Sequence, residues 1–279
     1  MNDKKIAAKR ILLFILFAYG LYWIPAGLCD LLGILQSDAG FCLITAYAMF
    51  TPAAGSLLTR FLTKEGMKNS LLRLHFKGNV RYYLLGIFVP LIYSLISAVI
   101  AIPALNVTPG RDVLVEAGVS PIGYIAVIFF NIAVSLALFP IFLGEELGWR
   151  GYLFPHLKTV IGRPAAYIVS GIIWGVWHTP AIIDGLNFGK DYAGYPFVGI
   201  LLMCLFCICT GIIFTWLTEK TNSVYPAAFA HAVNNNAAPL ITGITLNSDA
   251  VLQNFAMGIT GVFVVAMFCI AETAHTRKH

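Results

Sequence analysis

The sequence predicts an all-α, polytopic membrane protein of about eight transmembrane helices enclosing a polar cavity. Three observations predict it. The 279 residues are 59% hydrophobic and 11% charged, with a mean hydropathy of +0.81, whereas a soluble domain carries about 25% charged residues to clothe its surface. The Asp, Glu, Lys and Arg residues are clustered, which leaves long runs with none. The Lys and Arg residues also fall on alternate connections between those runs.

The charge-poor runs cover about 11–28, 41–59, 82–105, 121–143, 164–183, 195–218, 224–246 and 250–271. A hydrocarbon core about 30 Å thick is crossed by roughly 20 helical residues. Lipid allows the backbone only helices or closed barrels, and runs that are continuous rather than alternating read as helices. The first run follows Lys4, Lys5, Lys9 and Arg10 and has the charged start and apolar core of a signal peptide. No small-residue cleavage site follows it, so it reads as a retained anchor. The second and third runs flank the longest basic loop, 60–81. There Leu71, Leu72, Leu74 and Phe76 fit either an amphipathic segment in the interface or a plain solvated loop. The fourth run leads into Glu145-Glu146, and the fifth holds His178. In the sixth, Cys204 and Cys207 form a lone CxxC that reads as small apolar side chains rather than a metal or redox pair. The seventh is the weakest, with His231, Asn234, Asn235, Asn236 and two prolines. Cys29 and Cys42 flank an outer loop, Asn106-Val107-Thr108 fits a glycosylation pattern that matters only in a secretory pathway, and Cys269 lies in the eighth run. No repeat, linker or low-complexity tail divides residues 1–279, which read as a single membrane domain.

Positive loops stay cytoplasmic. One side collects Lys4, Lys5, Lys9, Arg10, Arg60, Lys64, Lys68, Arg73, Lys77, Arg81, Arg150, Lys158, Arg163, Lys220, Arg277 and Lys278; the other has only Arg111 and Lys190. The expectation is a multi-pass protein of the cell membrane with both termini cytoplasmic. Asp30, Asp38, Asp112, Glu116, Asp184, Asp191 and Asp249 gather mainly on the opposite side. The net charge of +5 comes from residues beside the membrane, so anionic lipid headgroups are the expected partner and nucleic acid is not.

Ionisable groups at membrane depth cost energy and are functional candidates by default. They form three clusters: Glu145-Glu146-Leu147-Gly148-Trp149-Arg150, Trp174-Gly175-Val176-Trp177-His178, and His231-Ala232-Val233-Asn234-Asn235. Glu146 and Arg150 are four apart, acid first, the favourable order for a helix ion pair. Glu145 is turned about 100° from Glu146 and is left to face something else. Trp174 and His178 share a face, which puts an aromatic wall beside an imidazole, and His231 and Asn235 share another. A poised carboxylate can take a proton from water, a neutral His can shuttle it, and His with Asn can donate to an oxyanion. That set suits amide hydrolysis. The same groups could hold zinc, with Glu145, His178 and His231 as ligands and a water in the fourth place. HExxH, GxSxG and GxGD are absent. A proton-coupled transporter would use the same buried Glu and His as a relay.

The three clusters, in this order on successive membrane helices, resemble the CPBP family, which groups type II CAAX prenyl endopeptidases with bacterial Abi-like and bacteriocin-processing membrane proteins. The motif-bearing region covers about 121–245. The resemblance implies an intramembrane protease whose active site opens to the cytosolic side and whose substrate is a hydrophobic or lipid-modified peptide. It implies that Glu145 activates water with His178, that His231 and Asn235 hold the oxyanion, and that Glu146 and Arg150 are structural. The family is commonly labelled a metalloprotease, but the metal-independent reading is preferred, because Asn is a poor zinc ligand and His231 cannot both bind zinc and hold the oxyanion. A non-catalytic immunity or scaffold protein would keep the same fold. Trp174 stands where the family usually has Phe, an exchange expected to matter little. Depth sets one further expectation: Glu145 reaches the level of His178 only if the fourth helix continues past Pro140 and Arg150, shrinking the next loop to about 157–163.

Overall fold

Residues 3–104, 118–243 and 266 are described in a computed structural model, and every regular element among them is helical. The eighth run apart from residue 266, the Asn106–Thr108 pattern, Arg111, Asp112, Glu116, Asp249, Cys269, Arg277 and Lys278 lie outside the described residues. The helices are α1 (Asp3–Leu31), α2 (Asp38–Ala48), α3 (Thr51–Leu62), α4 (Val80–Ala104), α5 (Pro121–Gly148), α6 (Phe154–Ile161), α7 (Arg163–Trp177), α8 (Thr179–Ile183), α9 (Phe197–Thr221), α10 (Tyr225–Asn236) and α11 (Ala238–Gly243). Five stretches are long and apolar enough to cross a membrane: Asp3–Leu31, Asp38–Leu62, Val80–Ile100, Ile122–Ile161 and Phe197–Thr221. The all-α, multi-span architecture is borne out.

Proline marks where many of these helices begin. Pro52, Pro121, Pro155, Pro164, Pro180 and Pro226 all occupy first-turn positions, where the missing N–H costs nothing and the fixed φ is already helical. Ser37 and Ser120 cap α2 and α5 by accepting from the N–H groups of Gly40 and Gly123, each at 3.1 Å.

The fourth run continues as expected. Past Pro140, α5 leads through a π-helical turn, Trp149–Leu153, directly into α6, and Gly162 alone joins α6 to α7. Its φ of +79° explains the glycine. Counted from this turn, Glu145 lies about 24 Å back along one helix and His178 about 22 Å along the other.

Other runs are broken. The second divides at Met49-Phe50, the fifth stops at Trp177 with His178 at the junction, and the seventh is the twelve-residue α10. The 63–79 segment forms no helix. It docks by its backbone instead, with Val224 N–H donating to Leu71 C=O at 3.1 Å.

Glycines set the close helix contacts. A Cβ on Gly171 or Gly175 of α7 would strike the α9 backbone at Ile208 and Cys204, and one on Gly144 or Gly148 of α5 would strike Met49 and Pro52. Pairs of small residues four apart let backbones approach where lipid supplies no hydrophobic drive.

One end of the bundle gathers the cations. Glu65 meets Arg10 (3.3 Å), Arg60 (3.5 Å) and His156 (3.3 Å), while Glu219 meets Lys158 (3.0 Å) and Arg163 (2.6 Å). At the opposite end lie the α1–α2 connection and the 184–196 loop. Cys29 and Cys42 are unpaired there.

Candidate active site

Glu145 and Glu146 are adjacent, nearly fully buried, and committed to different partners. Glu145 Oε2 accepts two indole N–H groups, from Trp149 at 3.0 Å and Trp174 at 2.7 Å. Glu146 Oε1 meets Arg150 Nη1 at 3.2 Å and His231 Nδ1 at 2.8 Å. The Arg150 guanidinium lies over the Trp174 ring at 4.1 Å and the Phe214 ring at 5.1 Å. Its charge is therefore met by a carboxylate and by aromatic faces. The expected Glu146–Arg150 pair forms, with His231 as a partner of Glu146 that spacing did not indicate.

His178 sits at the end of α7, its Nδ1 2.9 Å from the Trp174 carbonyl. A carbonyl only accepts, so Nδ1 carries the proton and Nε2 keeps a lone pair. His231 is ringed by Phe142, Trp174 and Phe214 at centroid separations of 5.1, 5.4 and 5.8 Å.

Glu145, Trp174, His178, His231 and Asn235 line one cavity of about 80 Å³. The convergence that sequence could not show is thus present. Glu146 and Arg150 lie behind this wall. Breaks in the helices face the same space: Met49 lines it at the α2–α3 junction, His178 at α7–α8, and Asn235 near the end of α10. Non-helical backbone at membrane depth is tolerated where it borders such a cavity.

Three participants were not singled out from sequence. Trp149 is four residues from Glu145, and the spacing rule applied to Glu146 and Arg150 would have found it. Asn234, also on the cavity wall, is buried; it accepts from Tyr93 and donates through Nδ2 to Asn235 Oδ1 at 2.9 Å. Tyr93, buried in α4, carried no signal. Asn235 itself is more open than Asn234.

The donor set does not assemble around a metal. Among the described residues no three His, Cys, Asp or Glu side chains come together in a group that could hold one. Glu145 Oε2 is occupied by two indoles, and His231 Nδ1 faces Glu146. Glu145, His178 and His231 share a cavity without forming a three-ligand cluster.

Residues 121–237, which include every site residue above except Met49 and Tyr93, match the family model described as type II CAAX prenyl endopeptidase Rce1-like. The match is to this segment, less than half of the chain. CAAX prenyl protease 2 of Methanococcus maripaludis is 32% identical over 124 residues, 44% of this chain. The aligned stretch spans 43% of the length of that curated relative. The resemblance read from the three motifs is borne out, and the Rce1-like segment coincides with the helices that build the cavity wall from α5 to α10.

Proposed function

We propose that the protein is an intramembrane endopeptidase that hydrolyses a peptide bond in a hydrophobic or lipid-modified substrate. The observation that carries this reading is the meeting of Glu145, His178, His231 and Asn235 on one cavity within a segment of the Rce1-like family. A CAAX-type, prenylated substrate is the class that the family suggests.

Glu145 Oε1, the oxygen not used by the indoles, takes a proton from water as the water oxygen attacks the scissile carbonyl. His178 Nε2, a lone pair facing the same space, orients that water. The oxyanion is held by Asn235, whose Oδ1 is occupied by Asn234 and whose Nδ2 is therefore the end left to donate. His231 assists from the same wall, its Nδ1 held against the Glu146 carboxylate at 2.8 Å. Collapse of the intermediate breaks the C–N bond, and the proton held by Glu145 leaves with the amine. No step requires a metal.

In this reading the protein spans the membrane with both termini cytoplasmic. The test is cleavage of lipidated peptides by purified wild-type protein and Glu145→Gln, with and without a zinc chelator. Glu145-dependent cleavage that survives the chelator is expected. Full activity in Glu145→Gln would end the proposal, and chelator-sensitive cleavage would replace the mechanism with a metal-dependent one.

A further inference from the structure

Independently of the hydrolysis read above, we propose that a second pocket, behind the catalytic wall at the basic end of the bundle, binds a phosphate group, carried by a lipid headgroup or by a small soluble phosphate. The pocket has a volume of about 680 Å³ and lies among α6, the start of α7, the end of α9 and Leu71 of the 63–79 segment. It shares no lining residue with the catalytic cavity. Four charged side chains line it, Arg150, Lys158, Arg163 and Glu219, so three cations face one carboxylate.

Arg150 forms the back of the pocket and is only 3% exposed. A guanidinium carries five N–H donors. Among the described residues this one makes a single hydrogen bond, from Nη1 to Glu146 at 3.2 Å. Trp174 and Phe214 meet it with ring faces, which offer no oxygen acceptor. Gly211 leaves α9 without a side chain beside Nη2. Four residues further along α9, Thr215 is buried on the pocket wall, and its hydroxyl has no hydrogen-bond partner among the described residues. A buried cation with unused donors is costly, and charge-assisted bonds to an anion offset that cost. The planar fork of arginine matches two oxygens of a phosphate.

Lys158 and Arg163 stand at the opening, both partly exposed, each on one oxygen of Glu219 at 3.0 and 2.6 Å. One carboxylate between two cations leaves a positive charge in excess there, even with Glu146 counted against Arg150. Thr215, Thr218 and Asn222 bring a polar edge of α9 to the same space at spacings of three and four residues. That edge is unexpected on a helix apolar enough to cross a membrane. Basic residues beside a membrane attract anionic headgroups, and here the pocket adds a buried arginine and a free hydroxyl to that attraction. Because Arg150 also holds Glu146 and lies 4.1 Å over the Trp174 ring, the pocket and the catalytic wall share one guanidinium.

The unfolding midpoint of the full chain in neutral detergent tests the site without relying on cleavage. The probes are dioctanoyl phosphatidylglycerol and inorganic phosphate; the controls are dioctanoylglycerol and potassium chloride at matched ionic strength. At least one probe should raise the midpoint saturably, by about 2–4 °C, and neither control should. A response to phosphatidylglycerol alone assigns a lipid headgroup, and a response to inorganic phosphate assigns a soluble source. Lys158→Gln with Arg163→Gln should weaken binding by about tenfold. Thr215→Val, which keeps the side-chain shape, should weaken it a few-fold. Lys64→Gln with Lys68→Gln, which removes exposed cations outside the pocket, should leave binding unchanged. No saturable shift with either probe, an equal shift with dioctanoylglycerol, or an equal loss from the Lys64 and Lys68 changes overturns the proposal.

Discussion

The two halves of the bundle on either side of Glu145-Glu146 are built differently. Toward the basic end, aromatic rings, Arg60, Arg150 and Glu146 form a layer buried to a few per cent exposure, bordered by two further cavities that Gly151 and Arg150 help to line. Toward the acidic end, the helices break and a cavity opens along the breaks. In the proposed mechanism the two neighbouring carboxylates do different work. Glu146 holds a charge network shut, and Glu145 presents one oxygen to an open space. The lesson is that one helical step of about 100° is enough to separate an acid tied to an arginine from one that lines a cavity.

Breaking either side should give distinct signatures. The largest effect expected is from Glu145→Gln, which removes the base while keeping the indole contacts. Cleavage should fall by about 10²–10⁴-fold, with yield and thermal midpoint near wild type in the same preparations. Glu146→Ala should do the opposite first, since it strands Arg150 in a buried layer. A loss of about 3–5 kcal/mol is expected, read as a lowered unfolding midpoint in detergent, and an unchanged midpoint would remove Glu146 from its assigned role.

Smaller changes sharpen the comparison. Trp174→Phe installs the residue usual in the family but deletes the indole donor on Glu145, a hydrogen bond to a charged group worth about 1.5–3 kcal/mol. We expect kcat to fall at least tenfold, where the sequence alone suggested little change. Tyr93→Phe acts through two hydrogen bonds, first to Asn234 and then to Asn235. It should lower kcat by a few-fold, consistent with about 1 kcal/mol, and leave KM in place, because only the orientation of the oxyanion donor is altered.

Much of this was legible in sequence, for physical reasons. Membrane depth forces helices, so the charge-poor runs marked the spans. Spacing of four residues placed Glu146 on Arg150. The depth of His178 required α5 to continue past Pro140, as it does. What was not legible depends on tertiary contact. Pro52 and Pro180 suit helix starts just after Met49-Phe50 and His178, but the sequence does not require the runs to break there, because the cavity that tolerates these breaks forms only when the helices meet. Tyr93 comes from a helix outside the family-matched segment and reads locally as one more aromatic residue. The 63–79 segment has an amphipathic composition, yet docking on Val224 decides its backbone. Gly171 and Gly175 were equally suited to packing within one chain or between chains, and Ile208 and Cys204 show them used within it.

The central claim is that Glu145 acts as a base on water. Single-turnover cleavage of an acylated peptide in water labelled with oxygen-18, followed by mass analysis of the new carboxyl terminus and of the 145-containing peptide, tests it directly. The account predicts one solvent oxygen in the product from the first turnover and none in Glu145. Unlabelled product in that first turnover, with label appearing in Glu145, would mean that the carboxylate attacks the substrate itself and would contradict it.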